Sequence, residues 1–88
     1  LQKDFTVEYK GKFYYIDYLC SNGPLLSLSN RFNWEVVDEN REDLDICVFK
    51  DSTKKQKEQA KKCAKLRTKL INFCIKHFND FKSDYHIS

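Results

Sequence analysis

Through residues 5–49, apolar and polar side chains tend to alternate with the two-residue period of a strand whose faces differ. Phe5-Thr6-Val7-Glu8-Tyr9 and Phe13-Tyr14-Tyr15-Ile16-Asp17-Tyr18 are aromatic runs separated by Lys10-Gly11, which is a hairpin signal. Ser21-Asn22-Gly23-Pro24 is a turn cluster, because Gly supplies positive φ and Pro fixes φ. Leu25 to Ser29 then alternates Leu with Ser. Phe32, Trp34 and Val36 alternate with Asn33, Glu35 and Val37. An acidic loop, Asp38 to Asp43, leads to a last apolar run, Leu44 to Phe49. The pattern predicts an antiparallel β-meander of about five strands over residues 4–50.

After Lys50 the period becomes that of a helix. Thr53 with Gln56 is a capping-box signature, and Asp51 adds negative charge at the helix start. Neither Gly nor Pro occurs from Lys54 onward. Ala60, Cys63, Leu66, Leu70, Ile71, Cys74, Phe78 and Phe81 fall on one stripe. Lys54, Lys61, Lys62, Lys65, Lys69 and Lys76 fall opposite it. The helix is expected over 53–82, with Ser83 to Ser88 frayed. At about 42 Å it exceeds the roughly 23 Å of a strand, so it should overhang the sheet with Phe78, Phe81 and then Tyr85 at its free end. The expected fold class is α+β, with the meander covered on one face by this one long C-terminal helix. Residues 1–88 then form a single small domain.

In architecture, a sheet meander followed by one covering helix resembles one half of an MHC-like platform, and also small pleckstrin-type or RWD-type domains. Fold alone implies no activity.

Length makes the four cysteines matter. A chain of 88 residues buries only about 60–65% of its unfolded surface, and cross-links then help. Cys63 and Cys74 share a helix face but lie about 16 Å apart, beyond the roughly 7 Å limit for a disulfide. Following the meander brings Cys47 level with Cys63 and Cys20 level with Cys74. The expected bridges are Cys47–Cys63 and Cys20–Cys74, in a secreted or extracellular domain. Reduced cysteines would instead place the chain in the cytoplasm or nucleus. The absence of Met and the start at Leu1 fit a processed or trimmed product. No apolar run is long enough for a transmembrane segment.

The net charge of +3 conceals a division. Residues 1–50 hold six Lys/Arg against nine Asp/Glu, and residues 51–88 hold ten against four. An acidic sheet is joined to a basic helix. Catalytic signals are weak. His77 sits at the edge of the apolar stripe as a packing residue, and His86 lies in the tail. Cys74, next to His77 on the helix, is surrounded by apolar residues, where a thiol is inert. The acidic loop lacks the EF-hand pattern, and no CxxC or HExxH spacing occurs. Catalytic residues, metals and cofactors are therefore all expected to be none.

The expected function is a non-catalytic protein-interaction module, stapled by disulfides. It binds a protein partner through the sheet face that the helix leaves bare and through the exposed edge strand. Tyr14, Tyr18 and Trp34 are the expected anchors, and a homodimer through that face or edge is anticipated. The alternative is an intracellular module that binds nucleic acid or anionic lipid through Lys54, Lys61, Lys65, Lys69 and Lys76.

Overall fold

Lys10 and Gly11 both take positive φ, 52° and 78°, and close a two-residue turn between β1 (Lys3–Tyr9) and β2 (Lys12–Tyr18). Such a turn matches the twist of the strands it joins, and Gly enters this region without a Cβ penalty. The hairpin expected at this dipeptide is present, with Tyr9 paired to Lys12. The chain is described from a computed structural model, which covers residues 3–19, 28 and 30–87. The strand expected over Leu25 to Ser29 and the turn at Ser21 to Pro24 lie outside the described residues, apart from Leu28.

A short 3-10 turn, Arg31–Asn33, leads into β3 (Trp34–Asp38), which pairs antiparallel with β2. The chain then enters α1 (Lys54–Lys76) and returns as β4 (Asp84–Ile87), which lies parallel to β1. The strand order is β3-β2-β1-β4. The α+β class is therefore right, but among the described residues the sheet is a mixed four-stranded one, with β4 parallel to β1, and not an antiparallel meander.

Two differences from expectation have identifiable causes. Leu44 to Phe49 does not form a fifth strand. The Asp43 carboxylate accepts a hydrogen bond from the Asp45 amide (2.8 Å), which turns the chain after a single bridge from Asp43 to Val37. Farther along β3, Arg67 Nη2 donates to the Trp34 carbonyl (3.0 Å), at the edge where a fifth strand would have continued. Residues 84–87, expected to fray, instead form a strand. The Ser83 carbonyl accepts from the Thr6 amide (2.9 Å), and Tyr85 and Ile87 lay their side chains against the core as β4 pairs with β1.

The helix begins where the sequence places it. Thr53 Oγ1 accepts from the Gln56 amide, and Gln56 Oε1 accepts from the Thr53 amide, so both halves of the capping box form. It ends earlier than expected, with His77 as its C-cap. Lys3 Nζ from β1 donates to the Phe78 and Asp80 carbonyls, placing a cation at the negative end of the helix. Asp80 then acts as a hub, where its Oδ2 accepts from the Tyr85 hydroxyl (2.7 Å) and lies 2.8 Å from His77 Nδ1. Those two partners hold its carboxyl below the usual range. Burial, and then Asp80, push the Tyr85 phenol up to about 12. The end of the helix that was expected to overhang is therefore docked. Its first turns, Lys54 to Gln59, are the exposed ones, flanked by Ile46, Cys47 and Phe49.

The core lies between α1 and one sheet face. Phe5, Val7, Tyr14, Ile16, Tyr18, Trp34 and Val36 meet Leu70, Ile71, Cys74 and Phe78. The aromatic density is at the C-terminal end of the helix. The Phe78 ring stands edge-on to Tyr18 (5.3 Å between centroids) and to Trp34 (6.3 Å), and lies tilted to Phe5 (6.3 Å). Trp34 Nε1 donates to the Leu28 carbonyl (2.8 Å), so the indole is buried without an orphaned donor. Phe81 shares the helical stripe in sequence but is fully exposed.

These two phenylalanines give a paired test. Phe78→Ala is expected to lower unfolding free energy by about 3–5 kcal/mol, a large share of the 5–15 kcal/mol typical of a domain. Phe81→Ala should change it by less than about 0.5 kcal/mol. Urea denaturation followed by tryptophan fluorescence measures both. Equal losses would show that the helix end is not anchored as described.

Candidate functional site

The pleat sends the odd residues of β1 and the even residues of β2 and β3 under the helix. This corrects the expected contact surface. Tyr14, Tyr18 and Trp34 are 7%, 0% and 3% exposed, so they are core residues and not anchors on a bare face. The open face carries the other set. β1 contributes Asp4, Thr6 and Glu8, and β2 contributes Phe13, Tyr15 and Asp17. Glu35 and Val37 come from β3, and Asp84 and His86 from β4.

Strand register orders these residues into rows. Asp4 is directly opposite Asp17, and Asp17 is directly opposite Glu35, so three carboxylates cross three adjacent strands. In the next row Asp84, Thr6, Tyr15 and Val37 are neighbours, and beyond it lie His86, Glu8 and Phe13. His86 Nδ1 is 3.2 Å from Glu8 Oε1. Like charges placed directly opposite in a sheet destabilise it. Asp17 registers that cost: partial burial, and then the charges of Asp4 and Glu35, raise its pKa, while Arg41 opposes the shift. Arg41 reaches over the Tyr15 ring, with its guanidinium carbon 4.5 Å from the ring centroid. That tyrosine face thus already holds a cation within the chain.

On the far side of the molecule the helix shows its basic stripe. Lys54, Lys61, Lys65, Lys69 and Lys76 are all exposed, as are Lys55, Lys57 and Lys62, with Glu58 the one acid in the helix. Lys69 differs from the rest. Its Nζ donates to the Tyr9 hydroxyl (2.8 Å) and lies over that ring, tying the helix to the end of β1.

The cysteines do not form the expected staples. Cys47, Cys63 and Cys74 are free thiols, and Cys20 lies outside the described residues. Cys47 is exposed in the extended segment beside Gln56. Cys63 lies about 10 Å farther along the helix axis from that glutamine, in a depression of ≈ 280 Å³ between the helix and the β2 and β3 strands. The missing fifth strand is the reason the two are not level. Cys74 is fully buried, and burial pushes its thiol up to about 12.

His77 is held between Phe73 and Tyr85 by ring contacts of 4.4 and 4.8 Å. In the acidic loop, Asp38 Oδ1 accepts from the Asn40 and Glu42 amides, each at 2.9 Å, so that carboxylate shapes the turn. Among the described residues no group of three His, Cys, Asp or Glu side chains is placed to hold a metal ion, and no helix is long and apolar enough to cross a membrane. A second depression, of ≈ 500 Å³, is bordered by Phe32, Leu44, Ile46, Ala64 and Arg67. Phe32 and Ile46 expose apolar surface there, and Val48 and Phe49 are exposed as well.

Two measurements check this picture. Asp17→Asn removes the middle charge of the row, and should stabilise the chain by about 0.5–1 kcal/mol near neutral pH. The folded chain holds the Asp17 proton more tightly than the unfolded chain does. Stability from this group is therefore fullest below the ordinary carboxylate pKa and declines as pH rises through the raised value. Thermal melts should show the gain of Asp17→Asn shrinking as the solution is acidified, and a gain independent of pH would contradict the row. For the thiols, native alkylation should modify Cys47 first and leave Cys74 untouched until the chain unfolds. An intact-mass measurement without reduction that showed a bridge at Cys47, Cys63 or Cys74 would overturn the free-thiol assignment.

Comparison with protein-family models, with curated proteins and with solved structures gave no match to this chain.

Proposed function

We propose that the chain is a non-catalytic protein-interaction module whose contact surface is the open face of the sheet. The observation that carries this reading is the composition of that face, where Phe13, Tyr15 and Val37 are ringed by Asp4, Glu8, Asp17, Glu35 and Asp84. Phe13 is 43% exposed, and large aromatics at a partly exposed position are typical interface residues. The acids make the face selective for a partner surface that is basic and also offers apolar area. Aligned like charges cost stability in the isolated chain, and a cationic partner removes that cost. The free thiols take away the disulfide basis for an extracellular setting, so the reading rests on the surface alone.

A second reading keeps the Lys side of the helix as the binding surface for nucleic acid or anionic lipid. Its support is the run of exposed Lys54, Lys57, Lys61 and Lys65. The acidic face argues against a partner that wraps the whole molecule.

The two readings separate by variant. Phe13→Ala with Tyr15→Ala should abolish capture of a basic protein surface by the open face, whereas Lys61→Glu with Lys65→Glu, which leave that face unaltered, should not. Fluorescence anisotropy with a single-stranded oligonucleotide, and co-sedimentation with vesicles containing an anionic lipid, should show only weak binding. Tight binding in either assay that the lysine variants abolish would replace the leading reading with the second.

A further inference from the structure

Two surfaces of this chain are complementary to each other and cannot meet within one molecule. The open sheet face presents the Asp4, Asp17 and Glu35 row. The outward side of α1 presents Lys57, Lys61 and Lys65, all exposed, on the side of the molecule away from that face. Their spacings match. Adjacent strands lie about 4.8 Å apart, so the carboxylate row spans about 10 Å. Lysines four apart on a helix rise about 6 Å each, so the three span about 12 Å, with flexible side chains to absorb the difference. The row runs across the strands, and a helix laid along it would cross the sheet. Tyr15 and Phe13 lie in the next rows, and Arg41 already occupies the Tyr15 ring at 4.5 Å, so the carboxylate row is the part of the face left to pair with lysines. A net charge of +3 on 88 residues opposes close approach only weakly.

We propose that the open sheet face docks the Lys57–Lys61–Lys65 stripe of a second copy of this chain, head to tail. This rests on the protein-binding reading of the open face and names its partner. The contact is heterologous. Each copy keeps one free acidic face and one free basic helix, so assembly extends by addition of copies and does not stop at a twofold dimer. The attraction is between surface charges, so it weakens with salt.

Sedimentation velocity on the purified chain tests this. At about 0.01 M ionic strength, where charges act over about 30 Å, the mean mass should rise with concentration past that of a dimer. At about 1 M, where the range is about 3 Å, the chain should be monomeric. Two variants make the test specific: an acid-face variant with Asp4→Asn, Asp17→Asn and Glu35→Gln, and a helix variant with Lys57→Gln, Lys61→Gln and Lys65→Gln. Each alone should be monomeric at low salt, because each lacks one half of the contact. Mixed in equal amounts, they should form a 1:1 dimer that grows no further. A monomeric wild-type chain at low salt, a variant that still associates by itself, or a mixture that stays monomeric would overturn self-docking. Those results would leave the protein-binding reading to be decided by the Tyr15→Ala and Phe13→Ala measurement, so the two failures are distinguishable.

Discussion

One helix can cover only one face of this sheet, and the pleat leaves no choice about which side chains share that face. Once Phe5 and Val7 lie beneath the helix, Tyr14, Ile16, Tyr18, Trp34 and Val36 lie there with them through register. Burying these apolar side chains is the main favourable contribution to folding. The same alternation commits Asp4, Glu8, Asp17 and Glu35 to the opposite side. The acidic face is thus a consequence of the core, and its like-charge rows are tolerated because slipping a strand by one residue would bury carboxylates.

Local signals in the sequence were the most legible. The Lys10-Gly11 hairpin, the Thr53–Gln56 capping box and the start of the helix after residue 50 are all set by neighbouring residues. All are present in the structure. The choice of bare face was legible too, but only by pooling strands. Read alone, β2 has large aromatics on both faces. Read together with Asp4, Glu8 and Glu35, the Phe13–Tyr15–Asp17 side is plainly the polar one. What could not be read locally was decided by distant residues. The fifth strand was lost to Arg67 and to the turn at Asp43. The Cys47–Cys63 pairing failed with it, because its geometry depended on that strand. The tail became β4 because β1 offered an edge and Asp80 a hydrogen-bonding hub.

The charge layout links fold and proposed function. An acidic sheet and a basic helix would be expected to attract each other within the molecule, yet they are stacked with their charged sides facing outward and the apolar sides inward. Hydrophobic burial outweighs the exposed Coulomb terms, which are small in water. The separation of charge that results is a property of the surface alone, and it is what a partner meets.

The parallel pairing of β1 with β4 has a further consequence, for the order of folding. Thr6 meets Asp84 across nearly the whole described chain, and the helix must be in place between them. Contacts this distant in sequence form late, because their loop must close before any pairing energy is gained. During synthesis the β1–β2 hairpin can form early, but β1 keeps one edge open until residues 84–87 emerge. An open edge is a template for pairing with other chains. The short strand β4 therefore covers the seven-residue β1 edge and leaves a four-residue edge in its place, which reduces the template that the nascent chain exposes to misassembly.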